Sequence, residues 1–167
     1  GAVRPASRAN FGLIWVQGKG EHDPAYGAWT LASARAWPQL AADLREATGL
    51  DVALRQAGRV HVCLSHDAHA VRASLVERMR ARGDEARVEM QDRAALVARL
   101  PGLGPEVVGG SFCADDGDCN PLRLLRALDA ALAAAGIARH GGARVETIEP
   151  LSGRFRVVTA SGAVEAE

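Results

Sequence analysis

Apolar residues repeat in this chain with two different periods, and the change of period divides it. From Pro24 to Ala135 the spacing is mostly helical, three and four residues apart, and is interrupted by short strand-like runs. From Ala143 onward the period is two. Both periods together make a mixed α/β chain, because an all-helical bundle or an all-strand sandwich would present only one.

The longest helical run is Pro24 to Thr48. Trp29, Ala32, Ala36, Trp37, Leu40, Leu44 and Ala47 mark the face expected to be buried, so Trp29 and Trp37 read as core rather than as a substrate cage. Gly49 is a natural stop. Pro38 inside the run predicts a kink or break. Asp51–Arg55 and Arg59–Leu64 read as strands around a Gln56-Ala57-Gly58 turn. Asp67–Arg82 reads as a helix with Ala70, Leu75, Val76 and Met79 inward, and Arg87–Met90 as a strand. Asp92 caps a helix to Arg99, Val107–Cys113 is strand-like, and Asn120-Pro121 opens a helix to Ala135 that Gly136 closes. Ala143–Glu149, Arg154–Thr159 and Ala163–Glu167 form an expected antiparallel meander, with turns at Ser152-Gly153 and Ser161-Gly162. The start of the chain offers a short helical turn around Ser7–Phe11 and an apolar run Leu13–Val16.

Composition excludes several classes. With 48% hydrophobic residues over 167 positions there is apolar material for a core, although only 4% are aromatic, so Ala, Val and Leu must do most of the packing. Lys+Arg and Asp+Glu both number 20, and no basic stripe of the kind a nucleic-acid binder shows is present. No apolar run reaches the roughly 18–20 residues that cross a bilayer, and the first residues lack a signal peptide's apolar region. The chain therefore reads as soluble and cytoplasmic. Three cysteines cannot all pair within one chain, which argues against a disulfide framework. The absence of an initiating Met suggests processing or truncation, and a meander that stops at Glu167 with its edge open points to truncation; marginal stability is expected, because the meander and the first helix would lose their partners in a missing sheet.

Two segments carry a family resemblance. Ala6-Ser7-Arg8-Ala9-Asn10-Phe11-Gly12-Leu13-Ile14-Trp15 resembles the A-S-x-x-N-x-G stretch of the FAD-dependent flavoproteins that include D-amino acid oxidase, glycine oxidase and sarcosine oxidase. There the stretch follows the first βαβ unit and lies against the flavin. Val16-Gln17-Gly18-Lys19-Gly20 is similar to the branch that holds the hydrogen cyanide synthase and opine oxidase subunits and D-hydroxyproline dehydrogenases. Asp116-Gly117-Asp118-Cys119-Asn120-Pro121, with Leu122, Leu125, Leu128 and Gly136, resembles the family's D-G-x-x-D/N-P-x-x-L entry into the helix that returns to the FAD domain. Ala143–Ile148 matches an x-V-x-x-I strand whose first Val, here Val145, packs beside the adenine end of FAD in relatives. Ser161–Ala166 resembles the T-x-x-G-x-x-x-A hairpin that follows.

The resemblance implies an α/β fold in which an α+β substrate-domain part is inserted in part of a Rossmann-like FAD-binding domain. Residues 1–20 would face the flavin, 21–112 would belong to the substrate domain, and 113–167 would return to the FAD domain. No G-x-G-x-x-G strand-turn-helix is present, and Gly18-Lys19-Gly20 and Gly141-Gly142 cannot replace it. The N-terminal βαβ unit and C-terminal part of the family are thus missing, and the chain alone is expected to bind FAD weakly or not at all and to be inactive.

The implied activity is hydride removal from the C–N bond of a small amino acid or imino acid, with partner subunits of a dehydrogenase complex implied by the multi-subunit relatives. Ser7, Arg8, Ala9, Asn10, Gly12, Leu13 and Val145 are the implied cofactor-binding residues. Ala9 and Gly12 would let backbone approach the ring closely. Ser7 and Asn10 would offer hydrogen bonds to ribityl or pyrophosphate oxygens, and Arg8 a positive charge. No catalytic residue is assigned, because the cofactor carries the chemistry. The alternative is a non-catalytic binding or assembly module that kept the fold and lost the cofactor site.

Three other groupings compete for attention. His61-x-Cys63-x-x-His66-x-x-His69 has a spacing that suits zinc, but it lacks a second Cys pair, and Cys63 as a small apolar side chain with capping or solvated histidines explains it as well. No metal is expected. Cys113 and Cys119 bracket an acidic loop, Ala114–Asp118, which lacks the full order of a calcium loop; the thiols are a redox pair or, more simply, packed. Trp15 lies two residues beyond the flavin-facing stretch and is the tryptophan nearest that chemistry.

Overall fold

The computed structural model describes residues 10–166. The chain divides into two compact units, one running to Ala131 and the other from Leu132. The expected helical turn at Ser7–Phe11 lies mostly outside the described residues.

The first unit opens with a short strand β1 (Leu13–Ile14), which pairs antiparallel with β5 (Gly117–Asp118). Between them lies a three-stranded antiparallel sheet in the order β2 (Arg59–Cys63), β4 (Gly109–Cys113), β3 (Val88–Asp92). Helices α1 (Pro24–Thr48), α2 (His66–Ala81), α3 (Arg93–Arg99) and α4 (Pro121–Ala134) connect or follow these strands.

Helix α1 begins where the chain supplies a cap. The Asp23 carboxylate accepts from the amides of Ala25 and Tyr26 at 3.0 and 3.2 Å, and Pro24 follows it. Gly49 ends the helix in the left-handed region, φ 71°, with its amide on the Arg45 carbonyl at 2.8 Å. The helix runs through Pro38 without a break. A proline removes the amide that would bond the carbonyl four residues back, here Ala34. Gln56 Nε2 donates to that carbonyl at 2.8 Å and also to the Asp115 carbonyl at 2.9 Å. A buried acceptor is thereby satisfied from outside the helix.

The buried stripe of α1 is Leu31, Ala34 and Leu44, with Trp37 and Ala41 half-buried against it. The expected face is therefore corrected: Trp29 is 70% exposed and Leu40 39%. An alanine-rich helix carries two apolar stripes of the same period, and periodicity alone does not say which one its neighbours cover.

Asp51–Arg55 is not a strand. The Asp51 carboxylate accepts from the Ala53 amide at 2.8 Å, Ala53 turns to φ 54°, and only an isolated bridge from Arg55 to Asp118 remains. A side chain that takes a nearby backbone donor competes with the ladder, and here it wins. Val52 instead packs with Leu44 and Ala127 in a small core. The main core gathers Ile14, Val16, Leu31, Ala34, Val76, Met79, Val88 and Cys113. On α2, Ala70 is exposed, whereas Arg72 is buried with Val76 and Met79.

The second unit is the expected meander, β6 (Val145–Leu151), β7 (Arg154–Thr159) and β8 (Gly162–Ala166). Its register shifts once, between Val145 and Thr147, and is regular beyond. Ile148, Val157 and Val164 share one rung, and Glu149, Arg156 and Glu165 the next. No helix among the described residues is long and apolar enough to cross a membrane.

Candidate functional site

Asn10 and Gly12 shape the start of the described chain. Asn10 Oδ1 accepts from the Gly12 amide at 2.6 Å, which turns the backbone, and Gly12 sits at φ 70°. The Gly12 carbonyl then accepts from the Cys119 amide at 2.9 Å. A Cβ on Gly12 would collide with the Cys119 carbonyl and reach the Pro121 ring at 2.9 Å. Glycine is required here because the chain itself fills the space.

Leu13 pairs with Asp118 and Ile14 with Gly117, so the stretches 10–16 and 116–121 form one seam. Arg59 adds an ion pair to Asp118. Beside the seam lies a hollow of about 380 Å³. Asn10–Leu13 line it together with Trp37, Cys119, Pro121 and Leu124. Phe11 and Leu13 are exposed at 93% and 52%.

A buried polar group anchors the seam. The Asp116 carboxylate is fully buried and accepts from the Val16 amide at 2.6 Å, the Gln17 amide at 3.4 Å and Gln17 Nε2 at 2.7 Å. Burial holds its pKa above the usual carboxylate range in spite of those donors. Arg72, lowered from its ordinary value by burial, donates from Nε to Ser111 Oγ at 2.9 Å and from Nη2 to Gln17 Oε1 at 2.6 Å. Ser111 Oγ donates to the same Gln17 oxygen at 2.6 Å.

Asp115 behaves in the opposite way to its neighbour. Burial would raise it, but hydrogen bonds from the Arg87 amide and guanidinium, with that charge, bring it below the usual range. The acidic loop is therefore a pair of buried anchors rather than a solvated turn.

The cysteines are free and buried. Burial pushes Cys113 up to about 12 and raises Cys63 and Cys119, which leaves neutral thiols suited to packing. Burial and the nearby Arg72 lower His61, whose ring lies 6.4 Å from that of Trp15. Among the described residues, no three His, Cys, Asp or Glu side chains come together to hold a metal.

Of the residues singled out in the sequence, Asn10, Gly12 and Leu13 lie together along the hollow. Ser7, Arg8 and Ala9 lie outside the described residues. Val145 begins β6 in the second unit and is half-exposed. Gln17, Arg72, Ser111 and Asp116 were not singled out as an interacting group. The readable signal was Arg72, a cation at an inward position of α2 in line with Val76 and Met79.

Residues 2–167 match the family of FAD dependent oxidoreductases. A subunit of the opine oxidase of Rhizobium meliloti is 43% identical over 152 residues, covering 90% of this chain and 41% of that protein. Glycine oxidase of Bacillus licheniformis is 23% identical over 98% of this chain and 42% of its own length. The crystal structure of glycine oxidase from Geobacillus kaustophilus superposes with a TM-score of 0.73 at 25% identity, over 96% of this chain and 43% of that one. The chain thus spans roughly two fifths of the length of these relatives, as the coverage of 41% shows. The α/β fold and the extent of the match agree: the chain belongs to the FAD-dependent oxidoreductase family.

Proposed function

We propose that the protein containing this chain oxidises the C–N bond of a small amino acid or imino acid, with the hydride passing to FAD. Ser7, Arg8, Ala9, Asn10, Gly12 and Leu13 are its flavin-facing stretch, and Val145 stands beside the adenine end. Residues 1–20 and 113–167 belong to the FAD domain and 21–112 to the substrate domain. The similarity to opine oxidase subunits of two bacteria supports assembly with partner subunits.

The observation that carries the reading is the seam. The two segments that resemble the family's flavin-domain motifs, about a hundred residues apart, meet side by side and wall one hollow. That hollow suits part of FAD and not the whole. Among the described residues its lining is largely apolar and holds no ionised side chain. Such a wall accepts the flat ring system, while phosphates would need a glycine-rich helix start. When bound, FAD supplies the hydride acceptor. This chain's own residues shape the ring's surroundings: Gly12 and Asn10 set the backbone turn, and the exposed Leu13 and Phe11 offer apolar surface for the ring to cover.

The test is anaerobic mixing of the FAD-loaded protein with a panel of opines, imino acids and small amino acids, following the oxidised flavin absorption. Bleaching by a member of these classes is expected. No bleaching by any of them, with bleaching by a hydroxy acid or another substrate lacking the C–N bond, would sink the proposal.

A further inference from the structure

Arg72 carries a positive charge into the interior, where its guanidinium hydrogen-bonds neutral side chains among the described residues. It is 7% exposed, and its guanidinium bonds Ser111 Oγ at 2.9 Å and Gln17 Oε1 at 2.6 Å. Asp116 carries a negative charge to the same place, and the Gln17 side chain stands between them, 1% exposed. The two ends of that amide meet different partners. Oε1 accepts from Arg72 and Ser111, while Nε2 donates to Asp116 at 2.7 Å and to the Arg59 carbonyl at 3.2 Å.

Turned over, the amide would set donor against donor at Arg72 and acceptor against acceptor at Asp116. The network therefore allows one orientation. It ends on the backbone just beyond β1, because Asp116 also holds the Val16 and Gln17 amides. The next residue is fitted to the guanidinium as well: a Cβ on Gly18 would stand 3.2 Å from Arg72 Nη1. An apolar residue at 72 would fill the volume, but it would remove one of the two donors that hold Gln17 Oε1 and leave that end of the amide to Ser111.

We infer that Arg72, acting through Gln17, is a positioning residue that holds the Leu13–Gln17 segment in register. It thereby sets the height at which the Asn10–Leu13 wall meets its ligand. That the ligand is the flavin rests on the function proposed above. The Gln17 amide then joins α2 and β4 to the segment that continues from the wall of the hollow, so a change at Arg72 acts on the wall from a helix that does not line it.

Residue-resolved amide hydrogen exchange in Arg72→Met and Arg72→Lys tests this in the full protein. In R72M the Val16 and Gln17 amides should exchange about tenfold faster or more, while amides of β4 change far less. Equal acceleration throughout β2, β4 and β3 would make Arg72 a general stabiliser and overturn the inference, as would unchanged Val16 and Gln17. Should R72M fail to fold, R72K decides: lysine keeps the charge but loses the two-armed contact, and the same local contrast is required of it.

The flavin reading is separated by Leu13→Arg, which leaves the relay intact. A flavin absorption spectrum shifted by both L13R and R72M supports the inference. A shift in L13R alone overturns Arg72's part in it. No shift in either removes the flavin as the ligand, and the exchange rates still decide whether the relay holds the segment.

Discussion

Gly12 answers two constraints at once, a left-handed backbone and a carbonyl pressed against the place where a side chain would begin. Gly12→Ala should cost at least about 1–3 kcal/mol from the backbone conformation alone, read as a lower urea midpoint with an unchanged slope. Asp115 and Asp116 adjoin in sequence yet respond to pH in opposite senses. Asp115 is held below the usual carboxylate range, so its contribution is full above the unfolded value and is lost as pH falls through the folded one. In Asp115→Asn the loss of stability on acidification should be shallower, as measured by urea unfolding across the acid range. Asp116 is raised, so its ionisation in the folded state costs stability as pH climbs from the unfolded value through the folded one. Asp116→Asn should abolish that decline, and it should also lower stability by about 1–3 kcal/mol, because in either orientation an amide nitrogen would face a donor, Gln17 Nε2 or the Val16 amide.

At the scale of elements, Pro38 and Gln56 form a defect and its repair. Gln56→Leu should destabilise by about 1–3 kcal/mol by leaving the Ala34 carbonyl unsatisfied. In a Pro38→Ala background the helix supplies its own donor, and the same substitution should cost less. A double-mutant cycle by urea unfolding should show coupling of about 0.5 kcal/mol or more, and additivity would refute the repair. Helix ends, most strand positions and the meander were legible because caps, glycines and periods are local signals: Gly49, Asp92, and Asn120 with Pro121 all mark observed ends. The covered face of α1 was not legible, since its neighbours and not its own period choose between Trp29 and Leu31. The Asp51 turn had its signal in the aspartate itself, which a reading by β-propensity passes over. Of the candidate site, the motifs at Asn10–Leu13 and Asp116–Pro121 were visible separately. Their junction, and the Arg72 relay behind it, depend on contacts across the whole first unit.

Over the whole molecule, burial is uneven. Leu96, Val52, Val76, Ser111, Cys113 and Asp116 are almost fully enclosed in the first unit. Among the described residues of β6–β8, none is buried to that degree, and Ile148, Phe155 and Val164 are more than half exposed. Amides of β6–β8 in the isolated chain should therefore exchange well ahead of those in β2, β4 and β3; equal protection would show the meander to be the more stable part. The ion pairs of Arg156 and Arg154 with Glu165, at 3.0 and 3.1 Å, will not offset this, since exposed pairs contribute about 0–1 kcal/mol. The seam between residues 16 and 116 has a consequence in time. Those partners are separated by 100 positions. At roughly 5–20 residues per second, a ribosome needs about 5–20 s to make the stretch between them. Until then the Val16 amide has no carboxylate to meet, and Leu13 and Ile14 have no strand to join. One side of the hollow is thus synthesised well before the other can close on it, and the hollow is complete only once the ribosome has passed Leu124.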